Sequence, residues 1–563
     1  MKLDRSVIGI ELGSTRIKAV MIDEFHTPVA QGEYLWENRL VDGIWTYGYE
    51  EIEVGLQSCF SSLKKDFEDK TGEKLRRVGA IGISAMMHGY IPTDKDFRPL
   101  REFRTWRNTI TAEAAEKATK LFDFNIPQRW SIAHLYQEYL KGEEYLKDLC
   151  HVETLSSFVH RLLTGENVIG IDDASGMFPI DIHTKDFDAA MAELFFHETG
   201  FDIFSLFPKV LVAGKNAGFL TTTGARILDR EGDLEAGIPM APPEGDAGTG
   251  MVATNSIRVE TGNVSAGTSD FAMVVTDKKL SVHREIDIVT TPSGSNVAMV
   301  HCNNCTTDIN AWVGLFGQFA RLIGKEVDKS TLYGLLYSEA LKGKRDADSL
   351  LSCNYYSGEG VTDFNSGMPI FLHPAAKELN LPDFMRSHLM SALVTLKIGL
   401  DILKKEEVPI RKMFAHGGYF KVPKVGQTLM SAAINAPVSV METAGEGGPY
   451  GMALLSSYMI SGEELSLEDY LDQKVFREVK TETVMAEDED VKGFEEYTSL
   501  YQKLLKVERL ALEVFNARES EKRSIGGEPP PSQIWPGNLY MGKCICCRQG
   551  IGSCCHKAIR SPL

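Results

Sequence analysis

The feature that most constrains this chain is a strand–turn–strand unit that occurs twice. Near the start, Val7-Ile8-Gly9-Ile10 and Lys18-Ala19-Val20-Met21-Ile22-Asp23 read as strands joined through Gly13-Ser14-Thr15. In the middle of the chain, Gly262 to Val275 repeats that logic with Gly267-Thr268-Ser269 at its tip. A glycine–hydroxyl tip exposes backbone N–H groups and hydroxyls without a bulky side chain in the way, which suits phosphate oxygens. One such turn is common. Two, at the starts of successive units, predict related halves that act as the two jaws of one phosphate clamp. A chain of 563 residues exceeds what one core serves, so two domains of about 250 residues are expected. The stiff stretch Pro239 to Gly248 and the new strand unit from Ile257 put their boundary between residues 256 and 257.

Between the two units the pattern alternates helices and buried strands. Glu50 to Glu68 has helical spacing, with Ile52, Leu56, Cys59, Phe60, Leu63 and Phe67 on one face. Val78 to Ser84 is a buried-strand run that ends in Ala85-Met86-Met87-His88-Gly89. The segment after a buried strand is where α/β sheets place ligand contacts. Thr111 to Phe122 and Trp130 to Leu146 read as helices, and Asp173-Ala174-Ser175-Gly176 as a turn or short loop. In the second half, Met385 to Lys404 has the spacing of a long helix, and Lys412 to His416 is a strand that breaks at Gly417-Gly418. Phe494 to Phe515 is expected to be the last helix of the fold. Residues 518 to 563 differ in kind, with a proline triplet and five clustered cysteines, and their composition offers no core.

Three charged residues stand beside these turns. Lys18 lies on the strand leaving the first turn and could neutralise charge on a transferred phosphoryl group, or be a solvated strand lysine. Glu11 ends the first strand, where a carboxylate would repel phosphate unless a divalent cation stood between them. Asp246 sits in Glu244-Gly245-Asp246-Ala247-Gly248, where glycine lets backbone and substrate approach closely, and it could take the proton of an attacking hydroxyl or serve as a turn acid or helix cap.

Composition narrows the partners. A net charge of −18 argues against nucleic acid and against an anionic membrane surface. There is no apolar run of about twenty residues, so no membrane span is expected. The start of the chain carries no secretory pattern, and the scattered cysteines fit a reducing compartment, so a cytoplasmic protein is expected. Cys302 and Cys305 form a lone CxxC, read as buried thiols in preference to a zinc site.

Taken in order, these segments resemble the FGGY family of carbohydrate kinases, in the pentulose kinase branch that holds xylulokinases and ribulokinases. Gly9 to Lys18 is similar to the family's first phosphate motif. Met87-His88-Gly89 is similar to a sugar-contacting Gln-Met-His-Gly segment, with Met86 where glutamine is usual. Asp246 falls on the catalytic aspartate and Gly267-Thr268-Ser269 on the second phosphate loop. Gly417-Gly418 and Glu446-Gly447 resemble the adenosine-binding segment. The resemblance implies an α/β fold of two actin-like, ribonuclease H-like ATPase domains closing over a cleft, over residues 1–256 and 257–517.

It further implies ATP-dependent phosphorylation of the terminal hydroxyl of a ketopentose, with Asp246 as base. ATP would be held by Gly13, Ser14, Thr15, Lys18, Gly267, Thr268, Ser269, Gly417, Gly418, Glu446 and Gly447. Mg²⁺ would be held near Glu11 through water. The sugar would meet Met87, His88, Gly89, Trp106, Arg107, Asn108 and Asp246, and a homodimer is compatible with the resemblance. Two departures stand out: Glu11 replaces the usual Asp, and Trp106-Arg107-Asn108 replaces the usual Trp-Asn-Asp. The alternatives are a kinase of another polyol or ketose, and a non-enzymatic actin- or Hsp70-like ATP-binding protein.

Overall fold

The computed structural model describes residues 2–441 and 447–525. Residues up to 509 form one compact unit, organised around two twisted sheets with the same plan. In the first, the strands Val7–Leu12, Arg16–Ile22 and Pro28–Leu35 form an antiparallel meander. Ala80–Ala85 then adds in parallel to Val7–Leu12, and Glu244–Gly245 in parallel to Ala80–Ala85. In the second, Thr261–Ala266, Asp270–Thr276 and Asn296–Cys302 form the meander. Lys412–His416 and Val438–Met441 add in parallel on its other side. Asp287–Thr290 and Thr481–Val484 extend the edges, giving five strands against seven. The sequence repeat is therefore a repeat of topology, and each glycine–hydroxyl turn joins the first two strands of its sheet.

Local chemistry explains the elements that position the site. The helix Tyr49–Thr71 buries Ile52, Leu56, Cys59, Phe60, Leu63 and Phe67, the face its spacing predicts, and ends at Gly72 in a left-handed conformation (φ 73°). Each such large side chain contributes about 1.5–3 kcal/mol of hydrophobic burial. The helix Leu381–Lys405 is capped by Asn380, whose side chain accepts the Asp383 N–H, and it buries both hydrophobic and polar residues along its length.

The two halves are sewn together by a late element. The helix Gly448–Ile460, which follows the second sheet, packs on the first strand so closely that a Cβ on Gly9 would lie 2.1 Å from the Pro449 carbonyl oxygen. Only glycine permits that approach.

The structure departs from the sequence reading at three places. Asp173-Ala174-Ser175-Gly176 is not a turn: the helix Ile171–Ser175 is buried throughout, so its polar residues face protein and not solvent. The helix expected over Trp130 to Leu146 is Ser131–Lys141, stopped by Gly142 in the left-handed region, followed by a separate 3-10 turn Glu144–Lys147. The last helix is Asp488–Ile525, which runs past the residue 517 at which composition ended the fold. Residues 526–563 lie outside the described residues. Among the described residues, no helix is long and apolar enough to cross a membrane.

Candidate active site

Both turns expose donors and hide acceptors. In the first, the Gly13 carbonyl accepts from Trp36 Nε1 (2.7 Å), the Ser14 carbonyl from the Tyr47 hydroxyl (2.6 Å), and the Thr15 carbonyl from the Trp36 amide (3.3 Å). In the second, the Gly267 and Thr268 carbonyls accept from the Thr306 and Cys305 amides at 3.0 and 2.9 Å. The N–H groups of Ser14, Thr15, Thr268 and Ser269 have no acceptor among the described residues. Two tips with committed carbonyls and free amides are what an anion cradle requires. Cys302 and Cys305, behind the second tip, are buried thiols whose burial pushes their pKa values well up, so they stay protonated.

The charges gather at the first tip. Glu11 stands directly across the strand pair from Lys18. Burial, and after it the nearby Asp246 charge, push its carboxyl up to about 8 against the opposing effect of Lys18. Its Oε2 also lies where a Cβ on Gly448 would sit, 1.6 Å away, so the start of the late helix meets the first turn here. Asp246 is the first residue of the helix Asp246–Ala253, whose cap is Gly245, so it is neither the cap nor a turn acid. Its Oδ1 accepts the Met87 N–H at 3.0 Å. Burial raises its carboxyl to about 6, held down by the amides of Met87, Ala247 and its own residue. A carboxylate so tuned is ionised at neutral pH, yet basic enough to take a proton.

A cavity of about 700 Å³ opens at this point. Ser14 and Ser269, one from each turn, line it together with Met87, His88, Trp106, Arg107, Asn108 and Asp246. His88 adopts a left-handed conformation (φ 70°), and Gly89 follows with φ 118°. The Nδ1 of His88 meets the Gly176 carbonyl at 3.3 Å. A carbonyl only accepts, so Nδ1 carries the proton. Burial, then the charge of Arg129, holds the ring neutral by pushing its pKa well down, which leaves Nε2 as an acceptor for a hydroxyl. Trp106 Nε1 donates to Ser14 Oγ at 3.1 Å. The Arg107 guanidinium lies 4.0 Å over the Trp45 ring. Asn108 differs from expectation: its amide is spent on the Trp45 backbone (2.9 and 2.8 Å) and the Thr105 carbonyl (2.9 Å), so it holds the wall that Arg107 stacks on.

Other expected residues stand apart from the cavity. Gly89 does not line it; its carbonyl accepts from Ser131 Oγ at 2.6 Å. Gly417, with φ 100°, ends the strand beside Thr261–Ala266, and Gly418 opens the turn after it. Gly447 caps the helix Gly448–Ile460. Glu446 lies outside the described residues.

Sequence reasoning missed the far wall. Asn125 and Arg129 come from a loop of the first half, Asp287 from an edge strand of the second and His301 from the strand beside it. Arg129 pairs with Asp287, and Asn125 Nδ2 donates to Asp287 Oδ1 at 3.0 Å. These residues carry no local motif; only the docking of the two halves brings them together. Among the described residues, no group of three or more His, Cys, Asp or Glu side chains could hold a metal by itself. Glu11, with Lys18 opposite it on the strand pair, offers an oxygen ligand that fits a hydrated Mg²⁺ taking its remaining ligands from phosphate and water.

The model of the FGGY family of carbohydrate kinases, N-terminal domain, matches residues 6–252, and that of the C-terminal domain matches residues 262–460. A xylulose kinase from Haemophilus influenzae is 20% identical over 435 residues, covering 73% of this chain and 82% of that protein. A glycerol kinase from Thermococcus gammatolerans is 25% identical over 292 residues, covering 49% of this chain and 55% of that protein. The solved structure of a ligand-bound xylulose kinase from Lactobacillus acidophilus superposes with a TM-score of 0.73 at 16% identity, covering 89% of this chain and 98% of that one.

Proposed function

The chain belongs to the FGGY family of carbohydrate kinases, and from that premise we propose that it transfers the γ-phosphoryl group of ATP to the terminal hydroxyl of a ketopentose of the xylulose or ribulose type. The observation that carries this reading is that Ser14 and Ser269, one from each phosphate turn, share a single cavity with Asp246 and His88. Asp246 takes the hydroxyl proton as the sugar oxygen attacks the γ-phosphorus in line. The new O–P bond forms while the bond to the β–γ bridging oxygen breaks, and ADP leaves. Neutral His88 orients the sugar through Nε2. The two turns hold the phosphates by their free amides, and Lys18 offsets charge on the moving group. Glu11, with water between, would hold Mg²⁺, which supplies positive charge to the phosphate oxygens.

Gly417, Gly418, Glu446 and Gly447 are assigned to the nucleotide by their likeness to the adenosine segment, and the boundary of the two domains is taken at 256/257. Free thiols at Cys59, Cys150, Cys302, Cys305 and Cys353 support a reducing, cytoplasmic setting. The similarity to a glycerol kinase supports a second reading, a smaller polyol as acceptor. Initial rates at fixed ATP with D-xylulose, L-ribulose, D-ribulose, L-xylulose and glycerol separate the two. A ketopentose is expected to give the highest kcat/KM; a preference for glycerol, or no turnover with any ketopentose, removes the first reading.

A further inference from the structure

Behind Asp246, away from the cavity, two buried carboxyl groups meet that the proposed reaction does not use. Asp172 lies on the short helix Ile171–Ser175 and Glu244 on the two-residue strand Glu244–Gly245. Neither lines the cavity. The Glu244 Oε2 accepts the Asp172 N–H at 3.1 Å. The Asp172 Oδ2 accepts two backbone donors at once, the Gly245 N–H at 3.0 Å and the Gly248 N–H at 3.2 Å. Those two residues bracket Asp246. The Gly170 N–H to the Pro243 carbonyl, at 2.7 Å, straps the same two segments one step earlier.

The glycines of this stretch then have a different cause from the one their sequence suggests. A Cβ on Gly248 would lie 2.3 Å from the Asp172 carboxyl carbon, and one on Gly245 would lie 2.9 Å from its Oδ2. Close approach of a substrate is not what excludes side chains there; the Asp172 carboxyl is.

We propose that Asp172 is a positioning residue, which splints the segment carrying Asp246 by accepting the two flanking amides on one carboxyl oxygen. The inference rests on Asp246 being the base. Its chemistry follows from the surroundings. Asp172 and Glu244 are each 1% exposed. Burial and the neighbouring carboxyl groups raise both pKa values well above the usual range, and no positive side chain is among the groups acting on either. Asp172 Oδ1 and Glu244 Oε1 have no partner among the described residues. Both carboxyls are thereby biased toward the uncharged form, and a carboxyl oxygen accepts the two N–H groups in either form.

The two N–H groups need only an oxygen acceptor, which an amide also supplies. Asp172→Asn keeps a carbonyl for both N–H groups and should keep kcat within about threefold of wild type. Asp172→Ala removes the acceptor and should lower kcat by about thirtyfold or more, with KM for ATP and sugar unchanged, because the base is displaced and not the substrates. Amide exchange read by mass spectrometry, independent of turnover, should rise across residues 244–253 in Asp172→Ala and stay at the wild-type level in Asp172→Asn. If Asp172→Ala does not fold, Gly248→Ala drives a methyl group into the carboxyl and should produce the same kcat loss and exchange. Asp172→Ala or Gly248→Ala with normal kcat and normal exchange would overturn the proposal, as would Asp172→Asn being as impaired as Asp172→Ala. Wild-type protein inactive toward every sugar would instead defeat the kinase reading, and the exchange experiment would still judge the splint.

Discussion

The two glycine–hydroxyl turns occupy the same place in two sheets of the same plan, yet they are built for different work. Behind the first stand three titratable side chains: Glu11 across from Lys18, with Asp246 close enough to raise the Glu11 carboxyl. Its tip is held by the side chains of Trp36, Tyr47 and Trp106, of which Trp106 also lines the cavity. Behind the second, the position matching Glu11 is Ser265, and the tip is held by backbone amides of Cys305 and Thr306. The nearest acid, Asp270, is fully buried, and burial raises its pKa well above the usual range, so it brings no charge. A duplicated backbone thus carries titratable side chains behind one tip and, behind the other, a serine and a buried acid. The difference lies in what packs behind each tip.

The comparison can be broken most sharply at the base. Asp246→Asn should lower kcat by about 10³-fold while nucleotide and sugar binding, read by calorimetry, persist; a near-normal rate would take Asp246 out of the mechanism. Next, the matched pair of substitutions Glu11→Gln and Ser265→Ala should diverge. Glu11→Gln should cost about 10²-fold at low Mg²⁺ and raise the Mg²⁺ needed for half-maximal rate, whereas Ser265→Ala should stay within about threefold. Equal Mg²⁺ profiles for the two would erase the asymmetry.

The charge difference also predicts a pH dependence of stability in the ligand-free protein. Glu11 and Asp246 have native pKa values above their ordinary ones, at about 8 and about 6. As pH rises, the unfolded chain gives up these protons before the folded chain does. Their favourable contribution is therefore complete at acid pH, and is lost as pH climbs through about 6 and then about 8. Tm should fall by about 3 °C or more between pH 6 and 9, and Glu11→Gln should flatten the upper part of that fall. A Tm that rises over this interval would show that the Glu11 carboxyl is not held up. The smallest effect is expected at the tip itself. Trp106→Phe removes one hydrogen bond to Ser14 Oγ, worth about 1 kcal/mol, so KM for ATP should rise about fivefold. An unchanged KM would mean that the first tip needs no support from Trp106.

Much of this site was legible because its pieces are local. Gly13-Ser14-Thr15, Gly267-Thr268-Ser269 and the Met87-His88 segment each follow a buried strand, and a strand end places its next residues at the sheet edge whatever the rest does. The buried face of the helix at 49–71 was legible for the same reason, since periodicity is a property of consecutive residues. The role of Asn108 was not, because its three hydrogen bonds go to Trp45 and Thr105 and not into the cavity. Nor was the buried helix at 171–175: its acids and hydroxyl look like turn chemistry until the surrounding acceptors and donors are known.

Sequence alone determined the duplicated strand–turn–strand plan, the glycine–hydroxyl tips, the acid at position 246 and the family resemblance, because each is written in short ordered segments. Tertiary structure decided what those segments do together. It set Gly448 against Glu11 across most of the chain, closed the cavity wall with Arg129 and Asp287, and put Asp172 against the glycines at 245 and 248. It also set the electrostatics, since burial and neighbouring charge, which no linear spacing records, keep Asp246 ionisable near neutral pH and Glu11 far above an ordinary carboxyl.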